Sequence, residues 1–114
     1  MATFATVADI ERMVPWKFSN LSSPTLAMVE DSLARHSAVV ETMLRAKGVS
    51  APQENTNGYR MCQLIVVYHT VAEILRYRGV ETGDGNLVQL ATYYDQLALE
   101  MKKQLEANPQ AFAT

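Results

Sequence analysis

The sequence predicts an all-α fold: a small four-helix bundle with one short N-terminal helix followed by three longer ones. Three observations carry this. Apolar residues recur at steps of three and four through most of the chain. Helix-capping residues and glycines punctuate the periodic segments. Strand signals are weak, with Val49–Ala51 and Val80–Thr82 the only candidates for brief extended pieces.

The first helix is expected over Val7–Val14. Thr6 and Asp9 have capping-box spacing, with Asp in place of the usual Glu or Gln, and Pro15 stops the helix. An aromatic loop with Trp16 and Phe18 follows. Ser23 before Pro24 reads as an N-cap and first helical residue, opening a second helix that runs to Lys47 and is closed by Gly48. Leu26, Val29, Leu33, Val40 and Leu44 form its buried stripe. Asp31 with Arg35, and Glu41 with Arg45, are acid-first ion pairs one turn apart. Gly48 to Gly58 is a polar loop.

The third helix is expected from Tyr59 to Arg78, ending at Gly79. It is apolar nearly all round, so it is covered on more than one side. Its narrow polar stripe is His69, Glu73 and Arg76, read as solvated. A turn at Thr82–Asn86 leads, with Asn86 as N-cap, into a fourth helix from Leu87 to Ala107. Its seam is Leu87, Leu90, Tyr94, Leu97, Met101 and Leu105. Pro109 ends it, and residues 108–114 are expected to form a flexible tail.

A chain of 114 residues makes one domain. The net charge of −2 offers no general field for nucleic acid. The single cysteine, Cys62, excludes an intramolecular disulfide and fits a reducing interior. Residues 1–14 carry Asp9, Glu11 and Arg12 and do not read as a signal peptide. The apolar run Leu64–Tyr68 is too short to span a bilayer.

No catalytic constellation stands out. Cys62, His69 and Glu73 could share a helix face, as in a partial metal or Cys–His site. The simpler reading has Cys62 packed at the edge of the polar stripe. His36, at the border of the second helix's apolar face, reads as a boundary histidine bonded to backbone. There is no Glu-x-x-His pair for a di-iron bundle. Gly83-Asp84-Gly85 lacks the Lys and Ser/Thr of a phosphate loop. No catalytic, cofactor-binding or metal-binding residue is therefore assigned, and no cofactor is expected. What remains is an apolar surplus: Trp16, Phe18, Met28, Val39, Val88, Leu99 and Phe112 lie off the expected core stripes. They are candidates for subunit or partner contact, since aromatics and Met are enriched at interfaces. For Trp16 the alternative is a plug closing the end of the bundle.

The N-terminal segment Phe4-Ala5-Thr6-Val7-Ala8-Asp9-Ile10-Glu11, the long helix from Pro24 to Lys47, and Ala91-Thr92-Tyr93-Tyr94-Asp95-Gln96-Leu97 together resemble the head–tail connector proteins of tailed bacteriophages, the head-completion or adaptor subunits. The resemblance covers most of the chain in layout. It implies a non-enzymatic virion protein, assembled in the host cytoplasm, that forms a homo-oligomeric ring, typically a dodecamer, beneath the portal. The ring would extend the DNA channel without sequence-specific binding and join head to neck or tail proteins. Trp16, Phe18 and the segment around Phe112 would dock these partners. Met28 and Val39 on one side, with Val88 and Leu99 on the other, would join neighbouring subunits. The acidic balance gives no basic channel lining. The alternative is a small helical adaptor or regulatory protein that binds a partner helix in a groove. A third reading is a metal- or thiol-dependent enzyme using Cys62 and His69.

Overall fold

The computed structural model describes residues 3–112. It contains α1 (Val7–Glu11), α2 (Leu26–Ala46), α3 (Asn57–Thr82) and α4 (Gly85–Ala107), then a 3₁₀ turn at Pro109–Phe112. No described residue lies in a strand, and Val80–Thr82 is the last turn of α3. The α3–α4 hairpin is the most extensive packing in the molecule, α2 lies along α3, and α1 packs on both. The result is an elongated bundle of 42 × 26 × 20 Å.

Each boundary has a local cause. The Thr6–Asp9 capping box closes in both directions: the Asp9 N–H donates to Thr6 Oγ1 at 3.3 Å, and the Thr6 N–H donates to Asp9 Oδ2 at 2.9 Å. Aspartate therefore serves at the third position. α1 nevertheless stops at Glu11, short of the expected Val14. The Glu11 carboxylate leaves the helix face to accept the Phe18 N–H at 2.9 Å, drawing the aromatic loop back. The N-cap of α2 is Thr25, which accepts from the Met28 N–H. Ser23 instead donates to Glu81 at the far end of α3, 2.6 Å away, so Ser23 and Pro24 precede the helix. At the other end the Gly48 N–H reaches the Arg45 carbonyl and the Val49 N–H reaches the Leu44 carbonyl. With Gly48 at φ 72°, these bonds make the Schellman closure that a glycine there permits.

α3 runs to Thr82, four residues beyond its expected last residue, Arg78. The left-handed residue that ends it is Gly83. Gly79 is an approach point instead. A Cβ built on it would sit 2.8 Å from Val88 Cγ2, 3.0 Å from the Asp84 carbonyl oxygen and 3.1 Å from Leu87 Cβ. Only a bare backbone lets the hairpin close this tightly. Asp84, rather than Asn86, caps α4 through the Asn86 N–H at 3.0 Å.

The buried face of α4 is Leu87, Ala91, Tyr94, Ala98, Met101 and Leu105, with Ala91, Ala98 and Leu105 fully enclosed. This seam keeps the 3–4 spacing but runs through two alanines, whose small side chains let α3 approach. Leu90 and Leu97, expected in the seam, lie to one side of it, and Leu90 is exposed.

The C-terminal tail is not free. Residues 109–112 form the 3₁₀ turn, and Phe112 is 1% exposed in the subunit's own core, which corrects the expectation of a flexible docking tail. Phe18 is likewise a core residue. Residues 113 and 114 lie outside the described part of the chain.

Two substitutions test this packing. Phe112→Ala should destabilise the subunit by about 3 kcal/mol, the usual loss for a buried Phe. Thermal unfolding followed by circular dichroism would show it, and a loss below about 1 kcal/mol would contradict the burial. Gly79→Ala should also destabilise, by up to about 2 kcal/mol in the same measurement. Overpacking costs about 1–3 kcal/mol and the helical gain of Ala over Gly offsets about 1.

Candidate functional site

The polar residues of α3 are drawn inward. Glu73 is a hub: it accepts from Arg35 Nη2 at 3.0 Å and from Ser32 Oγ at 3.0 Å, and it pairs with His36 Nε2 at 2.6 Å. Asp95 on α4 repeats the arrangement, pairing with His69 Nδ1 at 3.1 Å and accepting from Arg76 Nη2 at 2.8 Å. Each carboxylate is thus held by one arginine and one histidine from the preceding helix. The histidines join the two halves, stacked with ring centroids 4.8 Å apart and planes 13° apart.

This corrects two expectations. His69, Glu73 and Arg76 are not a solvated stripe, because His69 is nine-tenths buried and all three bond to side chains of neighbouring helices. His36 bonds to a carboxylate rather than to backbone. One-dimensional spacing locates polar residues on a helix but not the carboxylates that reach them from other helices.

The electrostatics follow from the geometry. The His36 and Arg35 bonds hold the Glu73 carboxyl down to about 2 against the desolvation that opposes them. Burial lowers the His69 pKa, and nearby Lys102 pushes the same way, outweighing Asp95. With Nδ1 hydrogen-bonded to Asp95, His69 Nε2 is buried without a partner. A second proton there would have no acceptor and would lie against another imidazole ring. Burial also lowers Lys102.

Cys62 offers the cluster no reactive thiolate. Cys62 is fully enclosed, and burial pushes its thiol up to about 12, so thiolate is scarce at neutral pH. It lies seven residues, two helical turns, from His69. Among the described residues, no group of three or more His, Cys, Asp or Glu side chains is placed to hold a metal ion. None of their helices is long and apolar enough to cross a membrane.

The other notable feature is the surface. A groove of about 330 Å³ opens between α2 and α3, walled by Ala27, Met28, Val29, Ile74 and Tyr77, with Arg35 and Glu73 at its polar end. Met28 and Tyr77 are exposed there, and Val80 continues the strip at 73% exposure. On α4, Leu90 and Tyr93 are exposed one turn apart, with half-buried Leu97 one turn further. Tyr93 packs edge-on against Tyr94, whose ring meets Tyr68 of α3 at 5.8 Å. Leu64 sits one turn before Tyr68.

The residues singled out from sequence fall in different places. Met28 is in the groove. Val39 is exposed beside Ala38, Thr42 and Met43, further along α2. Leu99 is half-exposed, but its helical neighbours Asp95, Gln96, Lys102 and Lys103 are polar, so it stands alone. Val88 is half-buried against Gly79 and belongs to the hairpin. Trp16 packs on the core edge with the Arg78 guanidinium 4.3 Å from its ring, as a plug does. Sequence reasoning missed Tyr77, Val80, Leu90 and Tyr93: Leu90 reads as part of the seam, Tyr93 is masked by Tyr94 beside it, Val80 falls beyond the expected helix end, and Tyr77 lies on a helix apolar nearly all round. No protein-family model matches the chain, and no curated protein or solved structure does either.

The cluster makes stability pH-dependent with a definite sign. His69 binds its second proton less readily folded than unfolded, so its contribution is present above about 6.5 and is lost as pH falls through that value toward the folded pKa. Glu73 adds a further loss from about 4.5 toward 2. The urea midpoint should therefore fall between pH 7.5 and 5.5, and His69→Gln should remove most of that slope. An unchanged slope in the variant would contradict the assignment.

Proposed function

We propose that this chain is a structural subunit of a tailed-phage head–tail connector. It assembles as a ring beneath the portal, extends the DNA channel and gives the neck or tail proteins a platform. One observation carries the reading: the subunit leaves two separate apolar surfaces exposed, the α2–α3 groove, with Asp31, Arg35 and Glu73 at its polar end, and the α3–α4 strip with Tyr93. A ring needs two different complementary faces on each subunit, and two separate strips meet that requirement. The N-terminal layout resembling the connector family supports the more specific identity. The interhelical polar cluster, with its carboxylates paired, and the enclosed Cys62 thiol fit a structural role better than a catalytic one.

The groove alone favours a second reading, an adaptor that takes one partner helix between α2 and α3. Mass photometry of the purified chain, alone and with portal particles, separates the two. The connector reading expects a closed multi-subunit species, free or on the portal. A monomer that ignores portal particles would overturn it.

A further inference from the structure

We infer that the exposed α3–α4 strip of one copy seats in the α2–α3 groove of the next, so that copies of this chain join head to tail. This rests on the self-assembly reading and names the two surfaces that meet.

The placement of the strips follows from helix geometry. Tyr77 lines the groove and Tyr68 lies in the other strip. They are nine residues apart on α3, two and a half turns, so they leave the helix on opposite sides. His69 and Asp95, each one residue beyond Tyr68 and Tyr94, turn toward His36 of α2 instead. The tyrosine strip therefore faces away from α2 and the groove. Two strips on one side of a subunit would favour a closed pair. Strips on opposite sides leave a free face at each end after every contact, and the contact propagates.

The chemistry of the two surfaces matches. The α3–α4 strip offers Leu64, Tyr68, Leu90, Tyr93 and Leu97 with no charged residue among them. Tyr93 stands out at 55% exposure and Leu90 lies one turn from it, a raised pair of the kind that anchors interfaces. The groove is concave and largely apolar, with Met28 able to adapt its shape. The charges at its polar end are internally paired, Arg35 reaching both Asp31 and Glu73.

The size is also adequate. α4 has 23 residues, about 35 Å of helix, and two packed helices span about 20 Å, so the hairpin face offers roughly 700 Å². That approaches the roughly 800 Å² each partner contributes to a standard-size stable interface.

The test uses one variant on each surface and then their mixture. Tyr93→Glu blocks the strip, and Met28→Glu, on the groove wall, blocks the groove. Both positions are well exposed, so the fold should survive, as circular dichroism will show. Leu90→Glu and Tyr77→Glu form a second pair if either variant misfolds. Sedimentation velocity should show the wild type associating beyond a dimer. Each variant alone should remain monomeric, with affinity at least about thirtyfold weaker. The equimolar mixture should form a 1:1 heterodimer and nothing larger, because one intact strip and one intact groove remain. If either variant associates like the wild type, or the mixture stays monomeric, this pairing is overturned while self-assembly stands. A wild type that stays monomeric up to millimolar concentration and also with portal particles overturns both.

Discussion

Between Ile65 and Leu75 every residue of α3 except Tyr68 and Glu73 is buried, and this enclosure governs the rest of the structure. A helix covered by α2 on one flank and α4 on another leaves Glu73 and Arg76 partly in water but encloses His69 and Thr70. Each must be satisfied from a neighbouring helix or left at a penalty of several kcal/mol. Glu73 is met by Ser32, Arg35 and His36 of α2, and His69 by Asp95 of α4. The polar residues of α3 therefore fix the register of both neighbours, which apolar packing alone specifies less sharply. The two histidines stack because they are the inner members of the two sets.

The same enclosure explains the tight turn between α3 and α4. With Gly79 presenting no side chain, Val88 and Leu87 settle onto the α3 backbone, and Ala91 and Ala98 continue the close approach along α4. A hairpin packed this closely places its larger side chains at the edges. Leu90, Tyr93 and Leu97 lie on the edge away from α2, while Asp95 lies on the edge facing it. Burial of small residues thus accounts for exposure of large ones.

Much of this was legible in the sequence. The all-α class, the enclosure of α3 and the buried stripe of α2 follow from apolar periodicity, and Val29, Leu33, Val40 and Leu44 are buried as their spacing requires. The glycine closure of α2 was legible because Gly48 adopts the left-handed conformation that glycine favours. Three features were not. A glycine within a helix can mark a close approach rather than an end, and nothing local distinguishes Gly79 from Gly83. An alanine seam carries less hydrophobic signal than the leucines beside it, so Leu90 and Leu97 read as core. The short segment after Pro109 shows no period, yet Phe112 fills a space made by distant helices. All three depend on what lies across the gap, which the order of residues does not record.

Opposed apolar strips on a subunit whose core is already packed leave one large stabilisation unused, the removal of Tyr93, Leu90 and Val80 from water. Hydroxyl-radical footprinting, comparing dilute monomer with the assembled species, reads those side chains directly. The account predicts that Tyr93 on one strip and Met28 and Tyr77 on the other become protected together, while Leu99 stays as reactive as in the monomer. An assembled particle in which Tyr93 or the groove residues keep their monomer reactivity would contradict it.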